Sequence, residues 1–301
     1  MSNDDRSADA HFLHAKSGLE AVLSPPLERP RAMDWVGTST RLIVANADGD
    51  LVEVDPVFGT RTLKGQTHEP AELKVSPTGK RFAVVERGER VVLFAAGNGK
   101  TVAEQPCDLI SDISMSWFRN KNELALVLCG KTLHGQKAWV LDAELKKARS
   151  FKLPRGARLG PGKDGRLLMA RACPQGIDVV SFGKKLPPAQ PTSHRLRFAP
   201  QGQLMGVTTG GVTVWRGPSD PPHTVAMLDV TAAAVSPDGQ WVAIGSRSGQ
   251  VALAQIDGDQ LARGRPGKVG GHTAAVRAIR FGVNRGNWVA TIADRLRIWK
   301  Y

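Results

Sequence analysis

Short apolar runs separated by turn residues recur along the chain in sets of three. In the plainest copy Val235 leads into Ser236-Pro237-Asp238-Gly239, a second run follows at 241–245, then a Ser248-Gly249 turn and a third run at 251–254. Pro presets one turn angle and Gly supplies a positive φ, so both connections read as hairpin turns. Val75-Ser76-Pro77-Thr78-Gly79 opens a second copy and Phe198-Ala199-Pro200-Gln201-Gly202 a third. With the Pro of that turn as a ruler, equivalent positions fall near residues 37, 77, 119, 163, 200, 237 and 283. No long stretch shows the 3.6-residue spacing of an amphipathic helix. A period near forty residues with three or four short strands per unit is the signature of a β-propeller blade. The pattern therefore predicts an all-β chain: a single seven-bladed β-propeller with four-stranded antiparallel blades. The repeats are approximately 29–70, 71–108, 109–155, 156–191, 192–229, 230–273 and 274–301.

The third runs fall at 51–54, 91–94, 139–141, 177–180, 212–215, 251–254 and 296–299. Only Lys300 and Tyr301 follow the last, so the seventh blade needs an outer strand from elsewhere. Residues 10–23, with Phe12, Leu13, Leu19, Val22 and Leu23, are the expected donor. An N-terminal strand from that segment would close the ring beside 296–299 and cover an edge that otherwise invites aggregation. Residues 1–9 are expected to form an acidic flexible leader.

The last repeat reads Gly271-His272, an inner run at 276–281, Trp288-Val289-Ala290-Thr291, Asp294, and Leu296-Arg297-Ile298-Trp299. This resembles the WD-repeat pattern. The resemblance covers almost the whole chain in period, but only the last blade carries most of the signature. Trp215 keeps the strand-end Trp in the fifth blade, whereas the fourth has neither Trp nor Gly-His. It implies that His272, Thr291, Asp294 and Trp299 form a buried hydrogen-bonded network that is structural, not catalytic. It also implies that the turn between second and third strands opens beside the central channel, on the usual docking face. There the chain has Asp48, then Arg87, Lys131, Arg171, Arg247 and Arg295, a base in five of seven blades. These five bases are the expected partner-binding residues.

Charge gives this placement its meaning. The net charge is +13, while residues 1–28 hold five acids against two bases, so the propeller body carries more than the whole excess. Such a field steers anionic partners inward without naming them. Three cysteines, far apart and without metal spacing, read as buried apolar residues of a protein in a reducing compartment. The acidic start lacks the charge of a secretory leader and no run is long enough to span a membrane, so a cytoplasmic location without membrane contact is expected.

Two motifs imitate nucleotide chemistry. Gly160-Pro161-Gly162-Lys163-Asp164-Gly165 matches G-x-G-x-x-G, but a strand-like run follows where a dinucleotide fold needs a helix, so it reads as a hairpin. Ala96-Gly97-Asn98-Gly99-Lys100-Thr101 ends like a phosphate-binding loop, but Phe94 stands at its first Gly position. Histidine spacing gives no zinc site, and His68, His194 and His272, each just before a first strand, are expected to serve packing. Neither a nucleophile beside a base nor paired carboxylates can be placed at the channel, so no catalytic residue, metal or cofactor is expected. The favoured function is a non-catalytic scaffold binding an acidic protein or peptide, as a subunit of a multiprotein complex. Nucleic acid, held through its phosphate backbone, is the second candidate, although the basic loops lack stacking aromatics. A propeller enzyme is the third.

Overall fold

The structure is a computed structural model. It describes residues 20–23, 27–120, 123–146, 148–190, 192–199, 202–217, 222–256, 272–282 and 288–300. Among the described residues every element is a strand, and the strands form seven antiparallel sheets. The first strands are Pro30–Trp35, Pro70–Val75, Ser111–Asn120, Ala157–Pro161, Arg195–Phe198, Val230–Val235 and Ala278–Phe281. All seven line one axial cavity, which makes each the inner strand of a propeller blade.

The turns form as their residues dictate. Gly79 and Gly239 adopt φ of 68° and 74°, a region open to glycine and costly for other residues. Their N–H groups donate to the carbonyls of Ser76 and Ser236 at 2.8 and 2.9 Å, closing the turns. The hydroxyl of Ser236 also accepts the Trp241 N–H at 2.9 Å, so each turn fixes the start of its second strand.

A blade has two apolar faces, and each is buried by a neighbour. Seven apolar clusters result, one at each junction between blades. Between the first two, Leu51 and Leu73 join Phe82 and Phe94, whose rings stack at 5.1 Å. At the last, Met33 and Trp35 of the first blade pack with Ile292 and Ile298 of the seventh, so the junctions run round a ring. Each fully buried Leu, Ile, Val or Phe contributes about 1.5–3 kcal/mol, which makes the junctions the main source of stability. Polar bonds set their alignment: Trp35 and Trp117 donate their indole N–H to the carbonyls of Arg280 and Lys74 on adjacent blades, each at 3.2 Å.

Among the described residues the fourth and sixth sheets have three strands and the other five have four. In the fourth blade the chain after Gly176–Ser181 runs through turns instead of returning as an outer strand. Pro187 and Pro188 fall there, and proline has no N–H to give to a ladder. The fourth strand of the seventh sheet is Glu20–Leu23, antiparallel to Leu296–Lys300, with Ala21 opposite Trp299. The rest of the expected closing segment, 10–19, lies outside the described residues, as does the leader.

Candidate functional site

The seventh blade brings His272, Thr291, Asp294 and Trp299 together. His272 is buried, with Nδ1 2.9 Å from Asp294 Oδ1 and Nε2 2.8 Å from Thr291 Oγ1. Trp299 donates its indole N–H to the same hydroxyl at 2.8 Å, and Thr273 donates to Asp294 Oδ2 at 2.9 Å. One arrangement satisfies every atom: Nδ1–H donates to the carboxylate, Nε2 accepts from Thr291, and Thr291 accepts from Trp299. The imidazole is therefore neutral. Burial pushes its pKa down to about 4, against the pull of Asp294. With every polar atom occupied, these four residues hold the blade together and offer no group for chemistry. His194, half-buried, packs edge-on against Trp215. His68 departs from the packing role expected of it, because it is exposed and pairs with Glu89 at 3.0 Å.

The turn bases fare unequally. Arg87 and Arg247 are exposed, and neither has an ion pair among the described residues. Lys131 lies within the strand Glu123–Thr132, opposite Gln136, rather than on the turn expected of it, and is bound to Asp112 at 2.6 Å. Arg295 is half-exposed, with Nε 3.4 Å from Asp294 Oδ2 beside the histidine network. Arg171 is not on a turn at all. It lies within Leu167–Cys173, paired in register with Asp178, whose carboxylate holds its guanidinium at 2.8 Å; the Pro187 carbonyl takes a second bond. A side chain only 8% exposed and fastened at two points is structural, which corrects its expected place on the docking face.

The dominant positive charge sits on the inner strands instead. A cavity of about 280 Å³ on the ring axis is lined by seven arginines and two carboxylates. Arg31, Arg158, Arg195 and Arg277 come from near the starts of the first, fourth, fifth and seventh inner strands, and Arg87 joins them from its turn. These starts lie on the face that carries the second-to-third turns, because each inner strand runs antiparallel to its neighbour. Arg197 and Arg280 lie farther in.

The inner arginines are tied into a network that crosses the channel. Arg280 of the seventh blade reaches Glu72 of the second, and Arg197 of the fifth lies 3.9 Å from the other Glu72 oxygen. Lys74 pairs with Asp34 at 3.3 Å, and Asp34 also accepts the Val75 N–H at 2.9 Å. Burial pulls the Lys74 pKa down, and Arg280 adds to that while Asp34 opposes it. Burial likewise lowers Arg197, with Arg280 and Arg158 as neighbouring like charges. For Arg280 burial is more than offset by Glu72 and Asp34, and its charge is reinforced. At the mouth, burial works against the Asp112 carboxylate, but Lys131, Arg158 and Arg195 outweigh it and hold its pKa low.

Arg31, Arg158, Arg195 and Arg277 were not picked out from sequence. Their signal was available as alternation: in Arg195-Leu196-Arg197-Phe198 the bases occupy one face of a strand whose other residues are apolar. The chemistry this arrangement can perform is recognition of anions by forked, permanently charged donors. The Gly160–Gly165 motif is a hairpin, with the Gly165 N–H donating to Gly162 at 2.9 Å and Leu167–Cys173 following as a strand.

No family model matches the chain, and no curated protein does. Among solved structures it is similar to the β-propeller domain of Cps50 (Swd1) from Myceliophteria thermophila. The TM-score is 0.69 at 14% identity, covering 93% of this chain and 99% of that one. Among the described residues no helix is long and apolar enough to cross a membrane. The blade count, the meander of each sheet and this likeness agree on the fold: the chain is a seven-bladed β-propeller.

Proposed function

We propose that the protein is a non-catalytic scaffold that docks an acidic protein partner on the face where the channel opens. The observation that carries this reading is the concentration of arginine at one mouth of the ring, with Arg87 and Arg247 exposed on the same face. The inner strands are held on both sides by apolar junctions, so the charged groups are positioned before a partner arrives and less ordering entropy is lost on binding. Charge steers the encounter, and residence time follows from what packs around it. Membership of a multiprotein complex and a cytoplasmic location are part of the same proposal.

The test compares the protein with an Arg87→Glu, Arg247→Glu double variant, each recovered from its native cells after nuclease treatment. A defined set of proteins held by the parent and lost from the variant, at unchanged melting temperature, supports the reading. Equal recovery by both removes this face from consideration. Recovery that nuclease alone abolishes favours phosphate-backbone binding, the second candidate, and its affinity would fall steeply with salt.

A further inference from the structure

We infer that the channel mouth is a binding site for a small free polyphosphate, separate from any protein that docks on the face around it. Four arginines at the mouth have no carboxylate within ion-pair distance among the described residues: Arg31, Arg158, Arg195 and Arg277. The acids nearby are already engaged, Glu72 by Arg280, Asp34 by Lys74 and Asp112 by Lys131. Arg158 is the sharpest case. It is buried, and the one bond its guanidinium makes among the described residues is to the carbonyl of its neighbour Ala157, at 3.1 Å. Farther in, Arg280 Nε is buried with no hydrogen-bond partner. Buried charge without a counter-charge is costly, and buried donors are normally satisfied. A bound anion supplies both.

The geometry selects the class of anion. The unpaired guanidinium groups come from four different blades and border one cavity of about 280 Å³, so they require negative charge on several sides of a compact ligand. A single carboxylate presents two oxygens from one side and reaches two of these groups at most, as Glu72 does with Arg280 and Arg197. A chain of phosphoryl groups presents oxygens in every direction, and arginine's planar fork binds phosphate through paired N–H donors. All seven basic residues lining the cavity are arginines, which fits recognition of phosphate by shape as well as charge.

Inorganic triphosphate is the probe, titrated calorimetrically into the full chain, with sodium chloride at matched ionic strength and hexaglutamate as controls. Triphosphate is expected to bind at one site and to raise the melting temperature, with chloride giving no comparable shift and hexaglutamate binding at least tenfold more weakly. Arg195→Gln with Arg277→Gln, both exposed and outside any ion pair among the described residues, should weaken triphosphate at least tenfold while the ligand-free melting temperature holds. Arg158→Gln added to that pair should remove what binding remains. Unchanged triphosphate affinity in the double variant, a shift that chloride reproduces, or hexaglutamate binding as tightly as triphosphate would each overturn the inference. Arg247→Glu alone, outside the lining of the cavity, tests the docking face without touching this site, so failure of the one reading is distinguishable from failure of the other.

Discussion

The neutral imidazole of His272 makes acid sensitivity calculable. In the folded protein its pKa lies at about 4, against 6.5 for an unperturbed histidine. The unfolded chain therefore binds the proton first, and stability is full above pH 6.5 and is lost as pH falls towards 4. At pH 5.0 the unfolded state is almost fully protonated there and the folded state hardly at all, so linkage removes about 2 kcal/mol relative to pH 7.5. Asp294 stays ionised through that window, since its bonds from Thr273 and His272 outweigh burial and hold its pKa low. The perturbation is His272→Gln, which keeps a donor and an acceptor but cannot titrate. Urea unfolding followed by tryptophan fluorescence at pH 7.5 and 5.0 gives the loss for each protein, and groups common to both cancel in the difference. The parent should lose about 2 kcal/mol more than the variant. An equal loss in the two would refute a buried, neutral His272.

Two further outcomes test the placement of side chains. Arg171→Ala should destabilise the fold by about 3 kcal/mol, because Asp178 is left poorly solvated without its counter-ion, whereas Arg247→Ala should stay within about 0.5 kcal/mol; similar urea midpoints would return Arg171 to the surface. Gly160→Ala should cost about 1–3 kcal/mol, since a Cβ there would lie 2.3 Å from Phe198 Cγ on the next blade; an unchanged melting temperature would mean that the fourth and fifth blades do not approach so closely.

Much of the fold is legible because propeller information is local and repeated. Ser76-Pro77-Thr78-Gly79 and Ser236-Pro237-Asp238-Gly239 announce the same hairpin, and the apolar runs beside them need only pack against their own kind. The His272 network is legible in one blade alone, through the resemblance of the last repeat to the WD-repeat pattern. The site is harder to read, because a base near a turn says nothing of what stands opposite. Lys131 meets Asp112 and Arg171 meets Asp178, one on another strand start and one across a ladder, and sequence distance reveals neither. Arg158 and Arg195 sit within short strands, where a base passes for an ordinary solvent-facing residue. Only closure of the ring turns those positions towards a shared axis. The fourth blade shows the opposite failure: its period promised an outer strand, and Pro187-Pro188 withheld the donors.

The pairing of Ala21 with Trp299 makes the last sheet a join between distant parts of the chain. Hydrophobic contacts between the first and seventh blades span almost the same separation. Closing so long a loop costs only slightly more entropy than closing a shorter one, but the contacts that reward it come last. Until then the first blade carries Met33 and Trp35 on an uncovered face. During synthesis that face must wait for the seventh blade, which makes the interval before the join the stage most exposed to aggregation.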